Sequence, residues 1–355
     1  MISHPTAQRD EETGDSLAPM RNDIERDGVV FNDPQWAEVV SDCYGFSDCT
    51  VTAAEGSLPL FHTSSPLLGK KIVSAVYNSY ASPLFGSEST SRRLIEHAIG
   101  VAQTRNVAYL QLKCLFPLPD EIVEACGLIR RDSYLVTLVP LSSRAARYSR
   151  YSPNFRRNLR RANRDVQNAG VRIERSRSAV DVARFYDVLA RRYRDKHLML
   201  PQPWRLFDLL RTRFLDSGRG DLWLARSSDG KIASGVLCLR HGAIVTACFG
   251  ARDAAYDRLS VDAVLKDAML EHYANEGSTT FDLGITSPLQ GSVLFSKDRF
   301  GGVTFPMPSY YFLVRADRVP EIDYASAYMW ARRAFRYVPL PVVRRLSPVL
   351  VRYLN

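Results

Sequence analysis

Between Ser260 and Gly302 the chain runs through a helix, a strand and a second, lysine-bearing helix, and this order limits its architecture more than any other stretch. Val261, Val264, Leu265, Ala268 and Met269 recur at helical spacing and give one apolar face. Ser260 is placed to cap the N-terminus of that helix and Gly277 to close its C-terminus. Phe281-Asp282-Leu283-Gly284 then reads as a strand ending on an acid and a glycine, followed by a short helix that carries Lys297. A lone ammonium beside an opened strand end can stabilise charge that develops on an acyl carbonyl.

The alternation of helix and strand extends upstream. Val171 to Arg175 reads as a strand, and Ser178 to about Lys196 as a helix with Val182, Phe185, Tyr186, Leu189 and Tyr193 on one face. After Pro201 and Pro203 a helix is expected from Trp204 to about Leu215. Strands follow at Asp221–Arg226, Ile232–Leu239 and Ala243–Phe249, the first two joined by a Ser228-Asp229-Gly230-Lys231 turn, with a last strand at Val303–Val314. The first half repeats this order faintly: apolar strands at Leu58–Phe61 and Ile72–Tyr77, a helix at Ser91–Thr104, strands at Tyr109–Lys113 and Tyr134–Pro140.

With 355 residues and 46% hydrophobic content the chain can bury two cores, and a largely disordered protein is excluded. No apolar run approaches the ~18 residues of a spanning helix. Arg9, Asp10, Glu11, Glu12 and Asp15 occupy the place of a secretory apolar segment, so residues 1–27 are expected to be a disordered polar leader. The six cysteines form no Cys-x-x-Cys pair and have no histidine at ligand spacing, which points to free thiols, no metal and a cytoplasmic protein.

The net charge of +9 is concentrated. Between Leu141 and Asp165, Arg144, Arg147, Arg150, Arg156, Arg157, Arg160, Arg161 and Arg164 face one aspartate. Such a block can meet phosphate on nucleic acid, anionic lipid or a pyrophosphate-bearing substrate. It can equally be a solvated helix face, because Phe155, Leu159, Ala162 and Val166 make an inward stripe. From Tyr324 onward there are six arginines and no acidic residue, with Tyr324, Tyr328, Ala331 and Phe335 on one helical face. That tail either docks on the protein or touches an anionic membrane.

The Asp-Leu-Gly strand end followed by Phe295-x-Lys297-x-x-Phe300-Gly301 resembles the signature of the FemAB-like transferases, a group within the GNAT superfamily. The resemblance covers about residues 33–315 and is strongest from Phe155 onward. It implies an α+β protein of two tandem GNAT-like domains, each a mixed, mostly antiparallel sheet flanked by helices. The expected divisions are a leader at 1–27, a degenerate domain at 28–142, a catalytic domain at 143–316 and a basic amphipathic helical tail at 317–355. The Pro339-Leu340-Pro341…Arg345-Leu346-Ser347-Pro348 ending resembles the tail of FemAB-like proteins associated with exopolysaccharide and exosortase systems.

The resemblance further implies an acyl- or aminoacyl-transferase acting on an amine or hydroxyl of a cell-envelope precursor or polysaccharide, in the cytoplasm or at the inner face of the membrane. Lys297 would stabilise charge at the donor carbonyl, and Asp282 would orient the amine or cap the next turn. Phe185-Tyr186…Tyr193-Arg194-Asp195 resembles a helix of the family, so Tyr193 and Arg194 are candidate substrate ligands, together with Arg157, Arg160 and Gly284. No tightly bound cofactor is expected. The donor co-substrate is aminoacyl-tRNA or acyl-CoA, and the acceptor carries phosphate.

Three absences shape that reading. The Gly250–Leu259 turn has a single glycine and two aspartates, which disfavours a CoA pyrophosphate. The short Leu215–Gly220 loop leaves no room for the helical arm that many cell-wall members use, which disfavours tRNA. No Gly-x-Ser-x-Gly elbow exists, so Ser296 reads as structural. The competing readings are a conventional acyl-CoA-dependent N-acyltransferase and a catalytically silent scaffold that binds polyanions or membrane.

Overall fold

Eleven strands hydrogen-bond into one sheet, and the last strand of each half of the chain is lodged in the other half. The computed structural model describes residues 7–53, 56–65, 69–77, 79–81, 87–320 and 336–353. The first half supplies β1 (Ser47–Asp48), β2 (Val51–Ala53), β3 (Gly56–Leu58), β4 (Phe61–Ser65), β5 (Gly69–Val73), β6 (Tyr109–Lys113) and β7 (Ile129–Pro140). The second supplies β8 (Arg172–Ser176), β9 (Gly220–Arg226), β10 (Ile232–His241), β11 (Ile244–Arg252), β12 (Thr280–Thr286) and β13 (Val303–Leu313). The sheet order is β1-β4-β5-β6-β13-β7-β12-β11-β10-β9-β8, with β2 and β3 as a separate hairpin.

Among the described residues the parallel pairs are β5 with β6 and β11 with β12. Each pair is extended by the other half's final strand: β13 lies antiparallel to β6, and β7 antiparallel to β12. A division at residue 142 therefore separates two sequence repeats but not two sheets, because β7 and β13 each pair with strands across that line.

The helices are α1 (Ala7–Asp27), α2 (Pro34–Tyr44), α3 (Glu88–Thr104), α4 (Asp120–Ala125), α5 (Arg144–Arg150), α6 (Pro153–Asn168), α7 (Ala179–Arg192), α8 (Trp204–Leu210), α9 (Val261–Asn275), α10 (Gly291–Asp298) and α11 (Leu340–Leu350). On the second-half sheet, α6 and α9 cover one face. The expected stripe of Phe155, Leu159, Ala162 and Val166 is buried there with Leu265, Met269 and Phe281. The other face takes α7 and α8, whose Phe185, Leu189 and Phe207 bury against Leu222, Leu224 and Leu237. Helix α2 reaches across to this face. Its N-cap Asp33 accepts the Gln35 N–H at 2.8 Å and also meets Arg219 and His241 of the second half.

The structure departs from the sequence reading at several places, among them the strand expected at Leu58–Phe61, which is divided at Pro59–Leu60 between β3 and β4, and the helix expected from Trp204 to about Leu215, which turns into a π helix at Arg211. Residues 7–27 are helical rather than a disordered leader, because Met20 and Ile24 are buried and Asp23 accepts the Thr279 hydroxyl at 2.6 Å. The strand expected to reach Tyr77 stops at Val73, and the described residues Ser74–Tyr77 and Ser79–Ala81 follow outside any strand. The helix expected to end at Lys196 changes at Tyr193 into a π turn, Tyr193–His197, a local widening frequent at functional sites. Ser260 sits at the N-cap of α9 but makes no side-chain capping bond. The expected helical face of Tyr324, Tyr328, Ala331 and Phe335 lies outside the described residues. No described helix is long and apolar enough to cross a membrane.

Candidate active site

β11 and β12 run side by side for three residue pairs and then part. Ile244, Val245 and Thr246 align with Thr280, Phe281 and Asp282. Beyond them the register of β11 against β10 shifts at Leu237/Cys238, and that of β12 against β7 shifts between Asp282 and Ile285. Such irregularities bend a strand out of its ladder. The gap opens into a cavity of about 170 Å³. Thr246, Cys248, Phe249, Leu283, Gly284 and Ile285 form its second-half wall.

The opposite wall comes from the first half and is aromatic. Phe31 and Trp36 meet edge to face at 4.9 Å, Phe31 meets Tyr80 at 5.2 Å, and Tyr44 lies 4.9 Å from Tyr77. Tyr193, from the π turn after α7, and Gln202, just before α8, close the cavity, with Gln202 accepting the Tyr44 hydroxyl at 2.7 Å.

Asp282 and Lys297 stand directly behind this lining. The Asp282 carboxylate accepts the Tyr80 hydroxyl and, at 2.7 Å, the Gly284 N–H. Burial raises the Asp282 pKa, while Tyr80, Gly284 and the nearby Lys297 charge oppose the rise. Lys297 donates to the carbonyls of Gly284 at 2.6 Å and Ile285 at 3.3 Å. Burial brings its ammonium down to about 8, partly offset by Asp282. Gly284 joins the two groups: its N–H serves the acid and its carbonyl serves the lysine. It does so at φ +75, which a side chain would strain.

Of the residues singled out from sequence, Lys297, Asp282, Gly284 and Tyr193 converge here. Arg194 does not: it faces outward and pairs with Asp195 at 2.6 Å. Arg157 and Arg160 are exposed on α6, on the other side of the sheet, and Arg157 donates to Asn154 at 2.9 Å.

Sequence reasoning missed the residues Ser74–Tyr77 and Ser79–Ala81 beside the cavity and the residue that holds them. Lys113, at the end of β6, meets them at three points. Its N–H donates to Ser74 Oγ at 2.9 Å, its Nζ to the Tyr77 carbonyl at 2.9 Å, and its carbonyl accepts the Ala81 N–H at 2.9 Å. Burial, with a smaller contribution from Lys71, brings the Lys113 amine down to about 7. Tyr77 sits at φ +52, an uncommon conformation for a residue with a side chain. The sequence offered one signal, a lysine closing a short strand that carries Leu110 and Leu112.

A second, polar recess of about 90 Å³ lies at the N-terminus of α9, lined by Arg252, Ser260, Asp262, Lys266, Ser296 and Arg299. Arg252 is engaged by Asp257 and Asp262 at 2.8 and 3.0 Å, and burial lowers the pKa of Lys266 and of Arg299. Among the described residues no group of three His, Cys, Asp or Glu side chains is placed to hold a metal.

Residues 140–289 match the family described as the acetyltransferase (GNAT) domain. No curated protein matches the chain in sequence. Among solved structures it is similar to FemX, with a TM-score of 0.66 and 13% identity over 89% of this chain and 98% of that one. It is also similar to the C-terminal domain of a putative lysylphosphatidylglycerol synthetase from Agrobacterium fabrum, with a TM-score of 0.56 and 16% identity over 84% and 92% of the two chains. L-PGS from Bacillus licheniformis gives a TM-score of 0.54 and 11% identity over 89% and 97%. The GNAT-domain match thus lies on residues 140–289, and the chain as a whole has a fold similar to that of FemX.

Proposed function

We propose that the protein is an acyl- or aminoacyl-transferase that moves a carbonyl-bearing group from an ester or thioester donor to an amine or hydroxyl of a cell-envelope precursor. The observation that carries this reading is the buried Lys297 ammonium, bonded to the carbonyls of Gly284 and Ile285, two residues that line an aromatic cavity. Two of its N–H groups are engaged there, and the third is assigned to the carbonyl oxygen of the donor. The acceptor's nitrogen or oxygen attacks the carbonyl carbon, and the resulting oxyanion is stabilised by Lys297. The donor's C–O or C–S bond then breaks, and the leaving group takes the proton that the acceptor gives up.

The cavity lining suits the reacting end of the substrates. Seven aromatic side chains and no charged one line the cavity, which favours an acyl or aminoacyl group and leaves the acceptor's phosphates outside. The GNAT match and the similarity to a structure named for lysylphosphatidylglycerol synthesis support an envelope-directed transferase, working in the cytoplasm or at the inner face of the membrane. The donor is an aminoacyl-tRNA or an acyl-CoA, the two classes that the resemblance implies.

A second reading has an observation of its own. The recess of Arg252, Lys266 and Arg299 puts cations where the Gly250–Leu259 turn lacks glycines, and this favours a CoA ester as donor. Calorimetry with acetyl-CoA divides the two. Micromolar binding that is lost in Arg299→Ala makes CoA the donor, and an absence of heat keeps the aminoacyl reading. The transferase itself is tested by mass spectrometry of envelope precursors from cells carrying the protein, its Lys297→Met variant, or neither. An acyl or aminoacyl mass increment present only with the unaltered protein is expected, and identical spectra in all three would overturn the reading.

A further inference from the structure

α11 is held to the protein by one side. Val343 and Ser347 are fully buried, Ser347 Oγ donates to the Pro201 carbonyl, and Arg344 pairs with Asp187 of α7. Just past the helix, the Val351 carbonyl accepts the Tyr77 hydroxyl at 3.1 Å and the Tyr353 carbonyl accepts Ser65 Oγ at 3.0 Å. The helix is therefore anchored to a residue adjoining Gln202 and to Tyr77 itself, on two sides of the aromatic cavity.

The other side of the same helix is apolar and uncovered. Val342, Leu346, Val349 and Leu350 are 44, 40, 55 and 40% exposed, at i, i+4, i+7 and i+8, which places them in one stripe. Arg336, Arg345 and Arg352 are exposed around it, and Tyr337 is 84% exposed at its N-terminal end. No acidic residue occurs between Arg336 and Tyr353.

These features select the occupant. A second copy of the helix would bring Arg345 and Arg352 against like charges. A strip two helical turns long also falls far short of the ~800 Å² per partner of a stable protein interface. An amphipathic helix with aliphatic side chains rimmed by arginine is, however, sufficient to lie among lipid headgroups, where apolar burial and anionic lipid act together.

We propose that the outer face of α11 seats the protein on an anionic membrane surface. Val342, Leu346, Val349 and Leu350 enter the headgroup layer, and Arg336, Arg345 and Arg352 meet lipid phosphates. The inner face stays docked, so the cavity is carried beside the lipid–water boundary. This names the surface for the envelope-directed transferase proposed above and rests on that reading only for the reaction performed there.

The test is sedimentation of the full chain with vesicles of phosphatidylcholine, with and without phosphatidylglycerol. The protein is expected on the anionic vesicles, less at high salt, and little on the neutral ones. Leu346→Glu combined with Val349→Glu should lower the partition coefficient by about tenfold or more and leave the melting temperature unchanged, because both side chains point outward. Lys297→Met should bind vesicles as the parent does, which separates failure of the membrane seat from failure of the reaction assignment. Absence of the parent from anionic vesicles would overturn the proposal. So would equal binding by the doubly charged variant, or a solution dimer that this variant breaks.

Discussion

The hydroxyl of Tyr80 donates to the carboxylate of Asp282, 202 positions further along the chain, with both groups buried. The bond joins the first-half residues around Tyr80 to the splayed end of β12 and so ties the two walls of the cavity together. Tyr80→Phe keeps the ring and removes the donor. It is expected to lower stability by about 1–3 kcal/mol, the usual cost of stranding a buried acceptor, and to reduce turnover by loosening the wall. Differential scanning calorimetry checks the first effect. An unchanged melting temperature would show that the Gly284 N–H alone satisfies Asp282.

Lys297→Met should cost about 10²–10³ in kcat, the range for one lost oxyanion donor, while the protein stays folded. The pH profile separates a chemical role from a structural one. Lys297 stabilises an oxyanion only when protonated, and its pKa lies at about 8, so activity should fall as pH rises through that value. The residual activity of the methionine variant should lack that alkaline limb. A limb that persists would assign it to another group.

Lys113→Met tests the first-half residues around Tyr77 and Tyr80. Its buried amine has lost hydration, so replacing it with an apolar chain of similar length should not lower the melting temperature at neutral pH. The Tyr77 carbonyl loses its donor, however, and the aromatic wall should become less well positioned. The expected result is a fall in kcat/KM of about tenfold, mainly through KM. Unaltered kinetics would reduce Lys113 to a packing residue.

Three buried lysines give the protein a pH-dependent stability of defined sign. Lys297 and Lys71 are brought down to about 8 and Lys113 to about 7, each mainly by burial. Unfolding returns all three to the ordinary value near 10.5, so between these limits the unfolded chain holds more protons than the folded one. The lysine contribution to stability then rises with pH. The melting temperature should increase from about pH 7 to about pH 8, below the range where the six thiols, each pushed up by burial in the fold, ionise in the unfolded chain and act with the opposite sign. A flat or falling curve would mean that the lysines are hydrated in solution.

The parts of this site that were legible in the sequence are those encoded locally. The period of Phe155, Leu159, Ala162 and Val166 gave the buried side of α6, and the helix–strand–helix order around Asp282, Gly284 and Lys297 placed them near one another. Phe31, Trp36, Tyr77 and Tyr80 carry no such mark. They reach the cavity through pairings between distant segments, which local spacing does not encode. Likewise, the charges from Arg9 to Asp15 concealed a helix whose Met20 and Ile24 are core residues. Arg194 matched a motif in type and position, yet its neighbour Asp195 takes up its guanidinium.

The exchange of β7 and β13 has a consequence for how the molecule is made. While the chain is being synthesised, β6 and β7 emerge long before Val303–Leu313, the one strand that lies between them. Until it arrives, both present raw, unpaired edges to the cell, the condition under which strands recruit strangers. The sheet can be sealed only by a contact spanning most of the sequence, and contacts of that kind are slow to form. Any nascent or truncated product ending before Val303 should thus depend on chaperones, whatever the strength of its individual helices and hairpins.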